Sequence, residues 1–290
     1  MIRKTVRSAA LAVSLLAFTA GLSAQAPKVE FPAASPASTL KQRVGLTDIE
    51  IVYARPGVKG RTIFGGIEAY GRVWRTGANS ATRISFSTPV KFGGADLAAG
   101  SYLLFSIPGA NEWTVILQKD AKAWGAYQYD PANDVARVTA KPVALAAPVE
   151  TFTIDLNDLR NESATLNLIW ENTRVPVPLT VDVASTLVPQ IEAAAASGEK
   201  LTPGFYYNAA MFYFDKGLDL NKAKAWIEQA TSGAKPAFYM VHLKAKILAK
   251  RGEKEAAIAA AKQSSELATA AEGPQSPFLK MNRDLIESLN

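Results

Sequence analysis

TLNLIWENTRVPVPLTVDVASTLVPQIEAAAA, residues 165–196, changes its pattern partway through. Thr165–Trp170 and Val175–Val183 are rich in β-branched and aromatic residues, as strands are. From Ser185 those runs stop and Ala becomes dense, which favours helix. A boundary near residue 184 therefore predicts a β part before it and a helical part after it.

Upstream the period is two. Ile49, Ile51 and Tyr53 alternate with Asp48 and Glu50, and Thr82, Ile84 and Phe86 with Arg83 and Ser85. Trp113, Val115 and Leu117 alternate with Thr114 and Ile116, and Thr151–Leu156 continues in the same style. Gly93-Gly94, Ala99-Gly100 and Pro108-Gly109 read as turns. Roughly nine or ten short strands without intervening helix predict an antiparallel β sandwich, jelly-roll or Ig-like, over residues 35–183.

Downstream, 185–196, 203–216, 220–230, 237–251, 253–270 and 278–289 read as helices, with Gly217, Gly233, Gly252 and Gly273 as stops. Asn208-Ala209-Ala210 to Gly217 and then Ala223–Ala230 parallels His242 to Gly252 and then Ala256 onward. Gly217 and Gly252 lie 35 residues apart. That spacing resembles tetratricopeptide repeats, although the Trp-Leu-Gly-Tyr part of their signature is missing. The expectation for 184–290 is an all-α, TPR-like part with two degenerate repeats and a capping helix. Such helices point to a protein partner.

At the N-terminus Arg3, Lys4 and Arg7 precede the apolar run Ser8–Leu22, and Ser23-Ala24 follows. That order predicts a secretory signal peptide over 1–24, cleaved after Ala24. The run is shorter than the roughly 20 residues that span a bilayer, and no second run of spanning length follows. Residues 25–34, rich in Ala and Pro, read as an extended lead-in. The expected compartment is the periplasm or, if secreted, the medium.

The chain has 290 residues, 48% hydrophobic and 20% charged, an ordinary globular composition. It has no cysteine, which removes disulfides, zinc–thiolate sites and thiol nucleophiles. The single histidine, His242, removes His-rich metal sites. No cofactor and no metal are expected. Net charge is +6, and three of those cations lie in the leader. What remains is too weak to argue for nucleic acid. The positive charge is concentrated: residues 41–83 carry a net +5, residues 84–184 a net −4.

That basic segment holds the most unusual text, Tyr53-Ala-Arg55-Pro-Gly-Val-Lys59-Gly-Arg61 and then Val73-Trp74-Arg75-Thr-Gly-Ala-Asn79. Gly and Pro shape an irregular loop at a sheet edge. Arg presents a planar fork that matches carboxylate, sulfate or phosphate. Tyr53 and Trp74 offer faces for a sugar ring or a guanidinium. Tyr53, Arg55, Lys59, Arg61, Trp74, Arg75 and Asn79 are the candidate ligand residues, joined by Tyr127 and Tyr129 from the stretch Trp124–Asp134. Three readings stand: non-enzymatic binding of an anionic or glycan-like ligand; a hydrolase of glycans or esters; and arginines that only pin the fold together. Asp130, Asn133 and Asp134 are too few oxygens for calcium, and an Asp-Pro turn explains them.

Several words fall in a characteristic order: Tyr53-x-Arg55-Pro56, Lys59-Gly60-Arg61-x-Ile63-Phe64-Gly65, Val73-Trp74-Arg75-x-Gly77-Ala78-Asn79, Leu97-x-x-Gly100-x-Tyr102, Trp113-Thr114-Val115-Ile116 and Trp124-Gly125. Over about residues 35–183 the chain resembles the bacterial domain-of-unknown-function family numbered 2911. The resemblance implies an exported β domain and assigns neither activity nor catalytic residues.

Overall fold

The computed structural model describes residues 30–119, 125–127 and 129–290. The expected signal peptide, residues 25–29 of the lead-in and Trp124 lie outside the described residues.

Ten strands precede six helices among the described residues. One antiparallel sheet contains β1 (Ala37–Val44), β2 (Thr47–Ala54), β3 (Thr82–Phe86), β6 (Gly100–Ile107), β7 (Trp113–Gln118) and β8 (Asp134–Ala140), in that spatial order. The other has the order β5 (Ala95–Leu97), β4 (Val90–Phe92), β10 (Ser163–Val181), β9 (Val143–Asn157). Alternation decides which face is buried. In β2, Ile49, Ile51 and Tyr53 are buried while Asp48 and Val52 are exposed. Ile51, Ile84, Leu104 and Val115 from the first sheet share one apolar core with Phe92, Phe152, Leu168, Trp170 and Val177 from the second. Burying a large apolar side chain contributes roughly 1.5–3 kcal/mol, so this shared core is the main force holding the sheets together.

Two turns require glycine. Gly93 and Gly94 link β4 to β5 with φ of 56° and 90°, as a two-residue hairpin turn with positive φ at both central positions demands. Gly45, between β1 and β2, has φ 56°, and a Cβ there would stand 2.5 Å from Val183 Cγ2.

The helices are α1 (Val183–Ala196), α2 (Pro203–Asp215), α3 (Leu220–Ala230), α4 (Phe238–Lys250), α5 (Lys254–Glu272) and α6 (Pro277–Leu289). Asp182 caps α1 through the Ser185 amide, Thr202 caps α2 through Phe205, and Asp219 caps α3 through Asn221. Leu187 of α1 and Phe212 of α2 pack against the core of the sheets. Lys216, just after α2, pairs with Glu162 in the β9–β10 turn.

Candidate functional site

The basic segment leaves β2 and crosses to the other sheet. Val58 N donates to Glu150 O at 2.8 Å, and Phe152 N donates to Pro56 O at 2.9 Å. Arg55 secures the crossing: its Nε donates to Phe152 O at 2.9 Å and its Nη2 to Thr153 Oγ1 at 2.7 Å. Arg61 folds back, Nε to Val58 O and Nη2 to Gly57 O. The amide of Lys59, at φ 50°, donates to Glu150 Oε1. Tyr53 is buried, and its hydroxyl donates to Ile154 O and accepts from Ile154 N. Both arginines thus spend donors on oxygens of the protein itself.

The next stretch forms a tight loop. Glu68 N donates to Ile63 O, and Gly65 N donates to Glu68 O. The chain then runs beside β6, where Trp74 and Ser106 exchange amide–carbonyl bonds of 2.7 and 2.9 Å. Trp74 enters the core, stacked on Trp170 at 5.8 Å and 17°, with its indole N–H donating to Gly77 O. Thr76 has φ 53°, strained for a β-branched residue. Contacts on both sides hold it there: its hydroxyl shares a hydrogen bond with Ser106, and its carbonyl accepts from Thr82 Oγ1. Asn79, at φ 60°, donates to Ser35 O.

Val73 and Arg75, flanking Trp74, lie on the other side. There Ala81, Leu103, Phe105 and Ile116 form a small second core, packed by Val73, Ala126 and Tyr129. Arg75 Nη1 runs so close to Gly125 that a Cβ there would stand 3.1 Å away. Arg75 Nε is buried with no hydrogen-bond partner, the one such side-chain atom found among the described residues. Glu68 shares its surroundings: burial pushes the carboxyl up to about 7, against the opposing pull of Arg75 and then Arg61. Ile67 and Tyr70, next to Glu68 in the chain, are 50% and 49% exposed, and Tyr127, two residues after Gly125, is 87% exposed, unusual for side chains of that size.

The structure therefore separates the sequence-predicted residues. Tyr53 and Trp74 lie in the core, and Arg55 and Arg61 are bound to their own chain. Arg75 lies against Gly125, two residues before the exposed Tyr127. The hydroxyl of Tyr129 donates to Asp134 Oδ2 at 2.8 Å and accepts from Arg137 Nη1 at 2.8 Å, and burial, then Asp134, push its ionisation above the usual range. Asp130 Oδ1 accepts from the Ala132 amide, and Asp134 Oδ1 accepts from Gln118 Nε2. No group of three or more metal-ligating side chains occurs among the described residues. Glu68 is the residue that sequence reading missed. Its signal was an acid set among Arg61, Arg72 and Arg75.

Two antiparallel sheets about one core, with six helices following, define a β-rich protein with a helical extension. The chain belongs to the family described as "Protein of unknown function (DUF2911)", whose model matches residues 35–179. No curated protein and no solved structure matches it.

Proposed function

We propose that the chain is an exported, non-enzymatic binding protein whose β part, residues 35–183, is a sandwich that receives an anionic group at Arg75. The leader text supports export, and the shared core of the two sheets supports the sandwich. No helix among the described residues is long and apolar enough to cross a membrane. The helical part is read as two TPR-like repeats. Gly217 and Gly252, both at positive φ, end α2 and α4 35 residues apart, and a second helix follows each.

One observation carries the ligand reading: the buried Nε–H of Arg75 has no acceptor. A buried donor left unpaired costs about 1–3 kcal/mol, and a carboxylate or sulfate oxygen removes that cost. Exposed Tyr127 and Tyr70 supply faces for a sugar ring, so an acidic sugar is the preferred ligand class. Glu68 tunes the site. As pH rises through about 7 its carboxyl gains a negative charge that repels an incoming anion.

Isothermal titration with glucuronate tests this on the parent chain and on Arg75→Gln. Binding is expected in the parent, weaker on the alkaline side of neutrality than on the acid side, and absent in Arg75→Gln. Equal binding by parent and variant, or none by the parent, overturns the reading.

A second reading rests on Glu68 alone. A half-buried carboxyl that titrates near neutrality beside two arginines suits general acid–base work in a hydrolase. That reading requires ester or glycoside turnover that disappears in Glu68→Gln.

A further inference from the structure

The helical part carries a second feature, independent of Arg75. On α2, Tyr207, Met211 and Phe214 follow the i, i+4, i+7 spacing of one helix face. On α4, Tyr239, Leu243, Lys246 and Lys250 do the same. The two stripes lie side by side. Tyr207 and Tyr239 meet edge to face at 5.2 Å, and the Nζ atoms of Lys246 and Lys250 both lie 4.9 Å from the centre of the Phe214 ring. Tyr239 is 39% exposed, and Tyr207, Met211, Phe214 and Lys246 are half-buried.

The charges on this face are unbalanced. Lys216, Lys222, Lys224, Arg251 and Lys280 each meet a carboxylate. Among the described residues neither Lys246 nor Lys250 has a carboxylate at ion-pair distance; both ammonium groups lie over the Phe214 ring. Two lysines at i, i+4 repel each other, and a cation over a phenyl ring recovers only about 0.5–1 kcal/mol at an exposed site. One carboxylate between them relieves the repulsion and satisfies both. At the other end the Tyr207 hydroxyl is a donor at neutral pH, as a phenol ordinarily is; burial first, then the fields of Tyr239 and Asp215, push its ionisation higher still. From Tyr207 to Phe214 the helix rises roughly 10 Å, the span of about three residues of extended chain.

We propose that this joint face of α2 and α4 binds an extended acidic peptide segment of a partner protein. A carboxylate of the segment bridges Lys246 and Lys250 above Phe214. An apolar side chain about three residues away lies against Tyr207 and Tyr239. Charge complementarity selects the acid, and the aromatic end selects a peptide over a small free anion.

The test is fluorescence anisotropy with the full chain and a labelled heptapeptide that places Phe three residues before an Asp-Glu pair. Its twin carries Asn-Gln instead. The acidic peptide is expected to bind, and the twin and the Lys246→Gln/Lys250→Gln double variant each to lose at least about tenfold in affinity, equivalent to 1.4 kcal/mol. A Lys246→Arg/Lys250→Arg variant keeps the charge and retains binding. Circular dichroism of the double variant confirms that its helices persist, since both lysines lie at the surface of the stack. Equal binding of the two peptides, undiminished binding by the double variant, or no binding of the acidic peptide overturns the proposal. So does displacement by free glutarate at the peptide's own affinity, which leaves the aromatic end without a role. Equally strong competition by a single-stranded oligonucleotide reassigns the face to polyphosphate.

Discussion

Arg55 and Arg75 place the same guanidinium in two different settings. Arg55 finds a carbonyl and a hydroxyl on β9, nearly 100 residues away in the chain, whereas Arg75 leaves a buried N–H unmatched. Glu68, whose carboxyl lies within the field of Arg75, makes stability depend on pH with a definite sign. Its folded-state carboxyl titrates near 7, above the ordinary 4.5, so folding takes up a proton between those values. Its contribution to stability is greatest below about 4.5, falls as pH rises through that window, and is fully adverse above it. Glu68→Gln removes the adverse term. Melts across the pH range are expected to show the variant more stable than the parent on the alkaline side and equal to it in acid. A variant that is less stable at alkaline pH contradicts this placement of the carboxyl. The residue types of the site were legible in the sequence, but their division was not. Tyr53 is in phase with the buried Ile49 and Ile51, which already points its ring inward. The acceptors of Arg55 come from a strand that no local pattern pairs with it.

At the scale of elements the sequence was more informative. Alternation and turn glycines give the strands, and Ala density with stop glycines gives helices whose observed ends differ little from those expected, because capping and backbone propensity are local. Contacts between elements are not local. His242 Nδ1 lies 2.6 Å from Asn282 Oδ1, Asn282 Nδ2 donates to Ser264 Oγ at 3.0 Å, and Ser264 Oγ donates to Phe238 O at 2.9 Å. This buried chain ties α4, α5 and α6 together, and the direction of its bonds makes His242 Nδ1 the donor. Burial holds the imidazole below its ordinary 6.5, with Lys246 adding to that and the Asn282 bond opposing it. The unfolded chain therefore protonates first, and this part of the stability is present at neutral pH and lost as pH falls below 6.5. Asn282→Ala leaves the buried Nδ1–H of His242 without its acceptor, removes a donor from Ser264 Oγ, and is expected to cost about 1–3 kcal/mol. Chemical denaturation followed by helical ellipticity measures it. A cost below a few tenths of a kcal/mol contradicts a structural role for the chain of bonds.

At the scale of the whole molecule, the sheets are joined by their core and by the crossing at residues 55–58. The helices join them through Leu187, Phe212 and the Lys216–Glu162 pair. The arginines divide: Arg55 closes the fold, and Arg75, on the function proposed above, receives an anion. Paired thermal melts of Arg55→Gln and Arg75→Gln, with and without glucuronate on the acid side of neutrality where Glu68 is protonated, decide this division. Arg55→Gln loses two bonds from a charged donor and is expected to be destabilised by about 2 kcal/mol, while keeping the parent's upward shift with ligand. Arg75→Gln is expected to melt at or above the parent temperature, with no shift on adding ligand. Destabilisation of both variants, with no response to glucuronate in the parent, would remove the anion site and leave Arg75 as one more structural arginine.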